Sequence, residues 1–171
     1  DFLISIGVLM CTNDCMKAIK SVIQNCLTEK GKIYIGLYHL HGRKPFLNYF
    51  KNLQSKGYSN DELLKEYSKI HTSLKDKTHL ESWFRDQVLH PHETLHTMEE
   101  IMPILESENM ILTSTSINKF EKINYIKNKG YDKTQLQGIF EKEKKMKEAS
   151  EKALIEKRYY PGFFTFFAER K

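Results

Sequence analysis

The feature that most constrains the fold is the apolar run at the start of the chain, DFLISIGVLMCTND, over residues 1–14. From Phe2 to Leu9 the residues are nearly all apolar, and a polar turn follows. Such a run is typical of a strand buried on both faces of a parallel sheet. In these sheets ligands bind outside the carboxyl ends of the strands. We therefore expect a central strand here and a binding crevice beside residues 7–11.

Composition and charge favour one ordinary globular domain. The chain has 171 residues, of which 40% are hydrophobic and 29% are charged. No run approaches the roughly 18–20 apolar residues of a membrane helix. No basic leader precedes the first strand, and the odd, unevenly spaced cysteines (Cys11, Cys15 and Cys26) fit a reducing compartment, so we expect a cytoplasmic protein. The net charge of +5 comes from interspersed charges, so nucleic-acid binding is possible but not indicated.

Strand and helix patterns alternate in the first half of the chain. A helix pattern follows the first strand, and KIYIGLY (Lys32–Tyr38) has the β-branched and aromatic content of a second strand. This β-α-β arrangement predicts two parallel strands. Residues 45–89 then predict a helical insertion that covers the binding crevice, with Pro45 as a first helical residue and a capping box at Thr78 and Glu81.

The second half predicts two more strands and further helices. Met110–Ser116 has a strand pattern, and residues 118–129 predict a short helix with Phe120, Ile123 and Ile126 inward. Residues 141–158 are highly charged and predict a solvated helix. The last strand, Phe163–Ala168, is aromatic on both faces and should be buried. No repeat or linker divides residues 1–171, so we expect a single domain.

A histidine-rich stretch carries the most chemical-looking pattern. Residues 92–96 match H-E-x-x-H, in which two histidines one helical turn apart bind zinc and the glutamate acts as general base. Pro91 precedes the pattern, and Thr97 with Glu100 predicts a helix that begins after it. We therefore expect the pattern in a loop and assign no metal site. The polar side chains would then either satisfy loop backbone groups or line the substrate crevice.

Several segments, in order, resemble class I S-adenosylmethionine-dependent methyltransferases. DFLISIGVLMCTND is similar to the family's fourth-strand segment, in which Gly-Val-Leu, two residues and Thr-x-Asp follow an acidic residue and an apolar strand. LTEKGKIYIGLY is similar to the turn and fifth strand that follow. YHLHGRKP, DQVLHPHETLHTMEEI and YYPGFFTFFAERK look like the tail of one branch of the family.

The resemblance implies the carboxyl-terminal half of a doubly wound, Rossmann-like sheet with an antiparallel last strand, and S-adenosyl-L-methionine as cofactor. The cofactor-binding positions that it implies are Gly7, Val8, Leu9 and Met10. Glycine there permits close approach of the backbone. The family's Gly-rich loop and ribose-binding acidic residue have no counterpart in this chain. We therefore expect weak cofactor binding by this chain alone, within a truncated domain whose sheet edge an upstream half-domain or a second copy would cover.

Candidate residues for the unidentified methyl acceptor lie at the same edge of the predicted sheet. His39 and His41 follow the second strand, and Trp83 could stack on a planar substrate. The candidate proton acceptors are His90, His92, Glu93 and His96. Two functions of other classes remain open: a zinc-dependent hydrolase that uses His92, Glu93 and His96, and a non-catalytic half-domain that binds a partner protein.

Overall fold

The computed structural model describes every residue from Asp1 to Lys171. The strands are β1 (Phe2–Ile6), β2 (Lys32–Tyr38), β3 (Met110–Thr115), β4 (Tyr125–Ile126), β5 (Gly130–Tyr131) and β6 (Phe163–Arg170). Four of them form one sheet in the order β1-β2-β6-β3, and β4 pairs with β5 in a separate hairpin. β1 and β2 are parallel, whereas β6 runs antiparallel to both of its neighbours. The α/β class and the antiparallel last strand are confirmed.

Six α-helices pack in two groups. They are α1 (Cys15–Cys26), α2 (Leu40–Ser55), α3 (Asn60–Ile70), α4 (Lys77–Val88), α5 (Met98–Ser107) and α6 (Lys133–Ile155). α1, α5 and α6 contribute to the core that covers one face of the sheet. α2, α3 and α4 enclose a second, smaller aromatic core. No helix is long and apolar enough to cross a membrane.

The expectation that the first strand is central and buried on both faces is wrong for this chain. β1 lies at the edge of the sheet and pairs only with β2. Phe2 and Ile4 are 52% and 59% exposed, because no helix covers that face of the strand. They share this open face with Tyr34 and Phe167, whose rings stack at a centroid distance of 4.2 Å. The apolar run therefore predicts a strand face that would gain from burial, but in this chain nothing packs against that face.

Helix starts differ from the sequence prediction where a polar side chain further upstream caps the helix. α2 begins at Leu40 because His39 Nδ1 accepts a hydrogen bond from the backbone N–H of Gly42, and Pro45 therefore lies inside the helix. α4 begins at Lys77 because Asp76 is its cap, so the predicted box at Thr78 does not form.

The predicted helix over residues 118–129 is also wrong. A short 3₁₀ turn, Ser116–Asn118, is followed by Lys119 and Phe120, which both have left-handed backbone angles (φ of 60° and 61°). Two successive residues of this kind are incompatible with an α-helix. The chain continues into the β4–β5 hairpin instead, and the side chain of Phe120 is largely exposed.

A buried hydrogen bond between a histidine and a carboxylate joins three helices beneath the sheet edge. His39 Nε2 lies 2.8 Å from Glu143 Oε1, and both side chains are almost fully buried. Because His39 Nδ1 is the acceptor at the start of α2, Nε2 must be the protonated nitrogen that donates to Glu143. Glu143 Oε1 also accepts from the backbone N–H of Met98, the first residue of α5. This carboxylate therefore connects α6 to the amino-terminal ends of α2 and α5.

Because it is the side-chain partner of the buried Glu143 carboxylate, His39 is a position where substitution should be costly to stability. We expect His39→Ala to lower the free energy of unfolding by about 3–5 kcal/mol, because the Glu143 charge would stay buried without its partner. Glu143→Gln should cost less, because the amide oxygen can still accept from His39 and Met98. Urea denaturation would measure both. His41→Ala, two residues away and half-exposed, is the control and should cost about 1 kcal/mol or less. Equal losses at His39 and His41 would contradict this assignment.

Candidate functional site

A cavity of about 370 Å³ opens at the carboxyl ends of β1 and β2. One side of its wall is the end of β1 with the turn after it, and the opposite side is α4 with the segment that follows. The chain leading into β6 closes the third side. The lining residues are Ile6, Gly7, Met10, Cys11, Tyr38, Trp83, Asp86, Gln87, His90, Glu93, Tyr159, Pro161 and Phe163.

The fully buried side chain of Arg43 supports this wall from behind. Its Nε and Nη2 atoms donate to the two carboxylate oxygens of Glu93 at 3.0 and 3.1 Å. The guanidinium also lies 4.3 Å from the ring centroid of Tyr38 and 4.7 Å from that of Phe46. This two-point pairing compensates the buried charge and fixes Glu93 relative to α2 and β2.

Gln87 extends the same network into the cavity wall. Arg43 donates to the Gln87 side-chain oxygen at 2.9 Å and to its backbone oxygen at 2.7 Å. The Gln87 amide nitrogen donates to the Tyr38 hydroxyl at 2.7 Å, and the Tyr159 hydroxyl donates to the amide oxygen at 3.1 Å. Side chains from β2, α2, α4 and the segment before β6 are thereby joined through one amide.

Burial keeps the thiol and the hydroxyl groups of the cavity wall in their protonated forms. Burial, with the charges of Glu93 and Asp86, raises the pKa of the Cys11 thiol. Burial also raises the pKa of Tyr38, and it raises that of Tyr159 to about 12. Both tyrosines therefore keep their hydroxyl protons near neutral pH. The charge of Arg43 opposes these shifts at the two tyrosines, but burial outweighs it, so a thiolate or a phenolate is unfavourable here.

The four predicted cofactor positions separate in the structure. Gly7 and Met10 line the cavity, whereas Val8 is 59% exposed outside it and Leu9 is buried in the sheet core. Gly7 has a φ of +73°, a left-handed angle that suits glycine. The nearest atom to a side chain built at this position would be Met10 Cε, 3.9 Å away, so the backbone of Gly7 is open to a ligand.

The structure separates the predicted proton acceptors as well. His90 lines the cavity, but the Glu93 carboxylate is occupied by Arg43. His92 points to the turn after β1, where its Nε2 donates to the backbone oxygen of Thr12 at 3.1 Å. His96 is buried and pairs with the Thr94 hydroxyl at 2.7 Å.

The H-E-x-x-H pattern therefore lies in the segment before α5, as its flanking residues predict. An extended backbone does not present His92 and His96 on one helical face, and the structure contains no cluster of three metal-ligating side chains. The geometry that the zinc-hydrolase alternative requires is not formed here.

Of the three predicted substrate contacts, only Trp83 reaches the cavity. His39 does not reach the cavity, because its hydrogen bonds to the backbone of Gly42 and to Glu143 hold the ring inside the protein. His41 lies on the other side of α2, in a surface depression with Lys147 and Glu151. Sequence reasoning missed Tyr38, Arg43, Gln87, Asp86 and Tyr159. All five stand in segments quoted above (Tyr38 and Arg43 in YHLHGRKP, Asp86 and Gln87 in DQVLHPHETLHTMEEI, Tyr159 in YYPGFFTFFAERK), but nothing in those segments assigned them a role.

Buried histidines near the site make stability depend on pH. Burial lowers the pKa of His71 and His96 from the usual 6.5. As the pH falls through 6.5, the unfolded chain binds protons before the folded chain does. The free energy of unfolding should then decrease, by at most about 1.4 kcal/mol per pH unit for each histidine.

Urea denaturation between about pH 7.5 and pH 5.5 would measure this loss. We expect His96→Gln to make the decline with falling pH shallower, because one of the histidines with a lowered pKa is removed. Parallel curves for the wild type and the variant would contradict the assignment.

Comparison with known proteins places the fold but not the family. No protein-family model and no curated protein sequence matches the chain. Among solved structures, PKMT2 from Rickettsia typhi is similar, with a TM-score of 0.63, 12% sequence identity and a match over 100% of this chain. The chain spans 35% of the length of that protein. At this identity the likeness shows a shared fold.

Proposed function

We propose that this chain is part of an S-adenosylmethionine-dependent methyltransferase that acts on an acceptor still to be identified. The observation that carries the proposal is the cavity at the carboxyl ends of two parallel strands, in a fold shared with a protein lysine methyltransferase. The motif resemblance of residues 1–14 supports the same reading, because those residues form the strand and turn that border the cavity. Further support is the antiparallel position of β6, which the family's Rossmann-like sheet implies.

The residues present fit the cofactor that this proposal requires. S-adenosylmethionine supplies an electrophilic methyl group on a positively charged sulfur. Asp86 brings a negative charge that favours a cation in the cavity, and Met10 provides an apolar surface. Gly7 leaves its backbone accessible. Methyl transfer needs alignment and exclusion of water more than acid–base chemistry, and the aromatic wall of Tyr38, Trp83 and Phe163 would serve both needs.

This assignment makes a graded prediction for cofactor binding. Because this chain has no counterpart of the family's Gly-rich cofactor-binding loop, we expect its affinity for S-adenosylmethionine to be weaker than micromolar. Nuclear magnetic resonance titration of the ¹⁵N-labelled chain should show fast-exchange shifts at the amides of Gly7 and Met10, at millimolar cofactor. Ribose 5-phosphate, which has neither a sulfonium nor an adenine ring, is the control ligand and should leave these two amides unchanged.

Two outcomes would contradict this part of the proposal. Absence of shifts at Gly7 and Met10 at millimolar cofactor would argue against a cofactor site there. Micromolar binding by isothermal titration would show that the chain holds a complete site and would overturn the expectation that it is only part of one.

A second function, binding of another polypeptide, is favoured by the open face of the sheet. β1 exposes Phe2, Ile4 and Ile6, and its outer backbone edge has no strand partner. Exposed apolar side chains on an unpaired edge promote association with another chain. The partner that needs no other component is a second copy of this chain; an upstream half-domain would occupy the same edge.

Light scattering after size-exclusion chromatography tests this second function. We expect the 171-residue chain to elute as an assembly larger than a monomer, and Ile4→Lys to shift it toward the monomer. Ile155→Lys is the matched control, because Ile155 is 82% exposed at the end of α6, outside the sheet, and should leave the assembly unchanged. A monomeric wild type at high concentration would argue against pairing of copies at this edge.

A further inference from the structure

The hydrogen-bond directions around Gln87 are fixed by its charged neighbours. Arg43 Nη1 lies 2.9 Å from one end atom of the amide, and a guanidinium only donates, so this atom is the carbonyl oxygen. Asp86 Oδ2 lies 2.6 Å from the other end atom, and a carboxylate only accepts, so that atom is the nitrogen. Two independent neighbours therefore impose the same orientation on an amide that is 4% exposed.

This orientation gives the two tyrosine hydroxyls opposite roles. The Gln87 nitrogen donates to the Tyr38 oxygen at 2.7 Å, so the proton of Tyr38 is not used in that contact. Tyr159 must donate its proton to the Gln87 oxygen at 3.1 Å, so its own oxygen keeps free lone pairs. Neither hydroxyl has another hydrogen-bond partner in the structure, and both residues line the cavity. The wall thus presents a donor at Tyr38 and an acceptor at Tyr159.

We propose that this cavity binds an uncharged planar group that carries a hydrogen-bond acceptor beside a donor. Amides and the amino-substituted edge of a purine such as adenine share this chemistry. Tyr38 donates to the acceptor of the ligand, and Tyr159 accepts from its donor. Both polar atoms of the Gln87 side chain are already hydrogen-bonded within the protein. Gln87 therefore acts as a positioning residue, which makes Tyr38 the donor and Tyr159 the acceptor toward the ligand. The proposal stands independently of methyl transfer.

Charged alternatives match the wall less well. A carboxylate offers acceptors only, so it leaves the Tyr159 oxygen without a donor, and it meets the negative charge of Asp86, which also raises the pKa of Cys11. An ammonium group offers donors only, so the Tyr38 proton would stay unpaired. An unpaired buried donor is costly, which makes the complementary neutral edge the favoured partner. The rings of Trp83 and Phe163 add apolar surface for a planar ligand.

The single tryptophan of the chain provides a direct signal for occupancy, because Trp83 lines the cavity. We would titrate the 171-residue protein with δ-valerolactam, its N-methyl derivative and adenine, and record Trp83 fluorescence. δ-Valerolactam has an adjacent acceptor and donor, whereas the N-methyl derivative has lost the donor. We expect a saturable change with the lactam or with adenine, and about fivefold weaker binding of the N-methyl compound than of the lactam.

Saturation by either the lactam or adenine supports the proposal. The ligand that binds more tightly shows whether the cavity prefers an amide or a purine edge. Absence of saturation by both overturns it. Equal affinity for the lactam and its N-methyl derivative also overturns it, because the acceptor at Tyr159 would then play no part in binding.

Variants test the directions of the network. Tyr38→Phe removes the donor and should weaken binding of the better probe about fivefold. Gln87→Glu keeps the shape and the contact with Arg43, but its carboxylate would take the Tyr38 proton, so we expect a similar loss. The double variant should lose no more than either single variant. Tyr34→Phe is the control, because the Tyr34 hydroxyl bonds to Thr165 outside the cavity and its removal should leave probe affinity unchanged.

Unchanged affinity in Tyr38→Phe, or wild-type affinity in Gln87→Glu, would overturn the assigned directions. Circular dichroism would confirm that each variant is folded before titration. If Gln87→Glu fails to fold, Tyr38→Phe and the pair of lactam probes still decide the question.

Discussion

The buried ion pair between Arg43 and Glu93 holds the cavity wall in place. A guanidinium with no exposure to water is tolerated only when nearly all of its donors are paired, and here they bond to Glu93 and to both oxygens of Gln87. These partners come from α4 and from the segment after it, whereas Arg43 belongs to α2. The charge therefore ties the inserted helices to the end of β2, where the Tyr38 ring lies against the guanidinium.

The same pairing decides what the neighbouring groups are free to do. Glu93 is held by Arg43 and is not available as a base, although its place in an H-E-x-x-H pattern predicts that role. Gln87 is turned by Arg43 so that its nitrogen faces Tyr38. One helical turn before Arg43, the buried hydrogen bond between His39 and Glu143 fixes the start of α2. His39 and Glu93, which look reactive in the sequence, are thus structural in the fold.

Much of the secondary structure was predictable because local signals determine it. β2 has the bounds that its β-branched and aromatic run predicts, and the Thr97–Glu100 capping box forms at the start of α5. The prediction failed where a tertiary contact or an unusual backbone angle overrode the local pattern. The His39 cap makes α2 begin five residues before Pro45, the predicted start. The left-handed backbone angles of Lys119 and Phe120 prevent the predicted helix, and a hairpin forms there instead. The site was predictable only in part, since position at a strand end identified Gly7 and Met10 but not Arg43 or Gln87.

By itself, the sequence determined the α/β class, the parallel first pair of strands and the place where the cavity would open, because periodicity and capping are local properties. The tertiary structure alone decided that β1 is an edge strand with an open apolar face, since burial depends on what packs against a strand. It also decided which polar residues face the cavity. Tyr38 and Tyr159 stand far apart along the chain, and only the Gln87 amide between them sets one as donor and the other as acceptor.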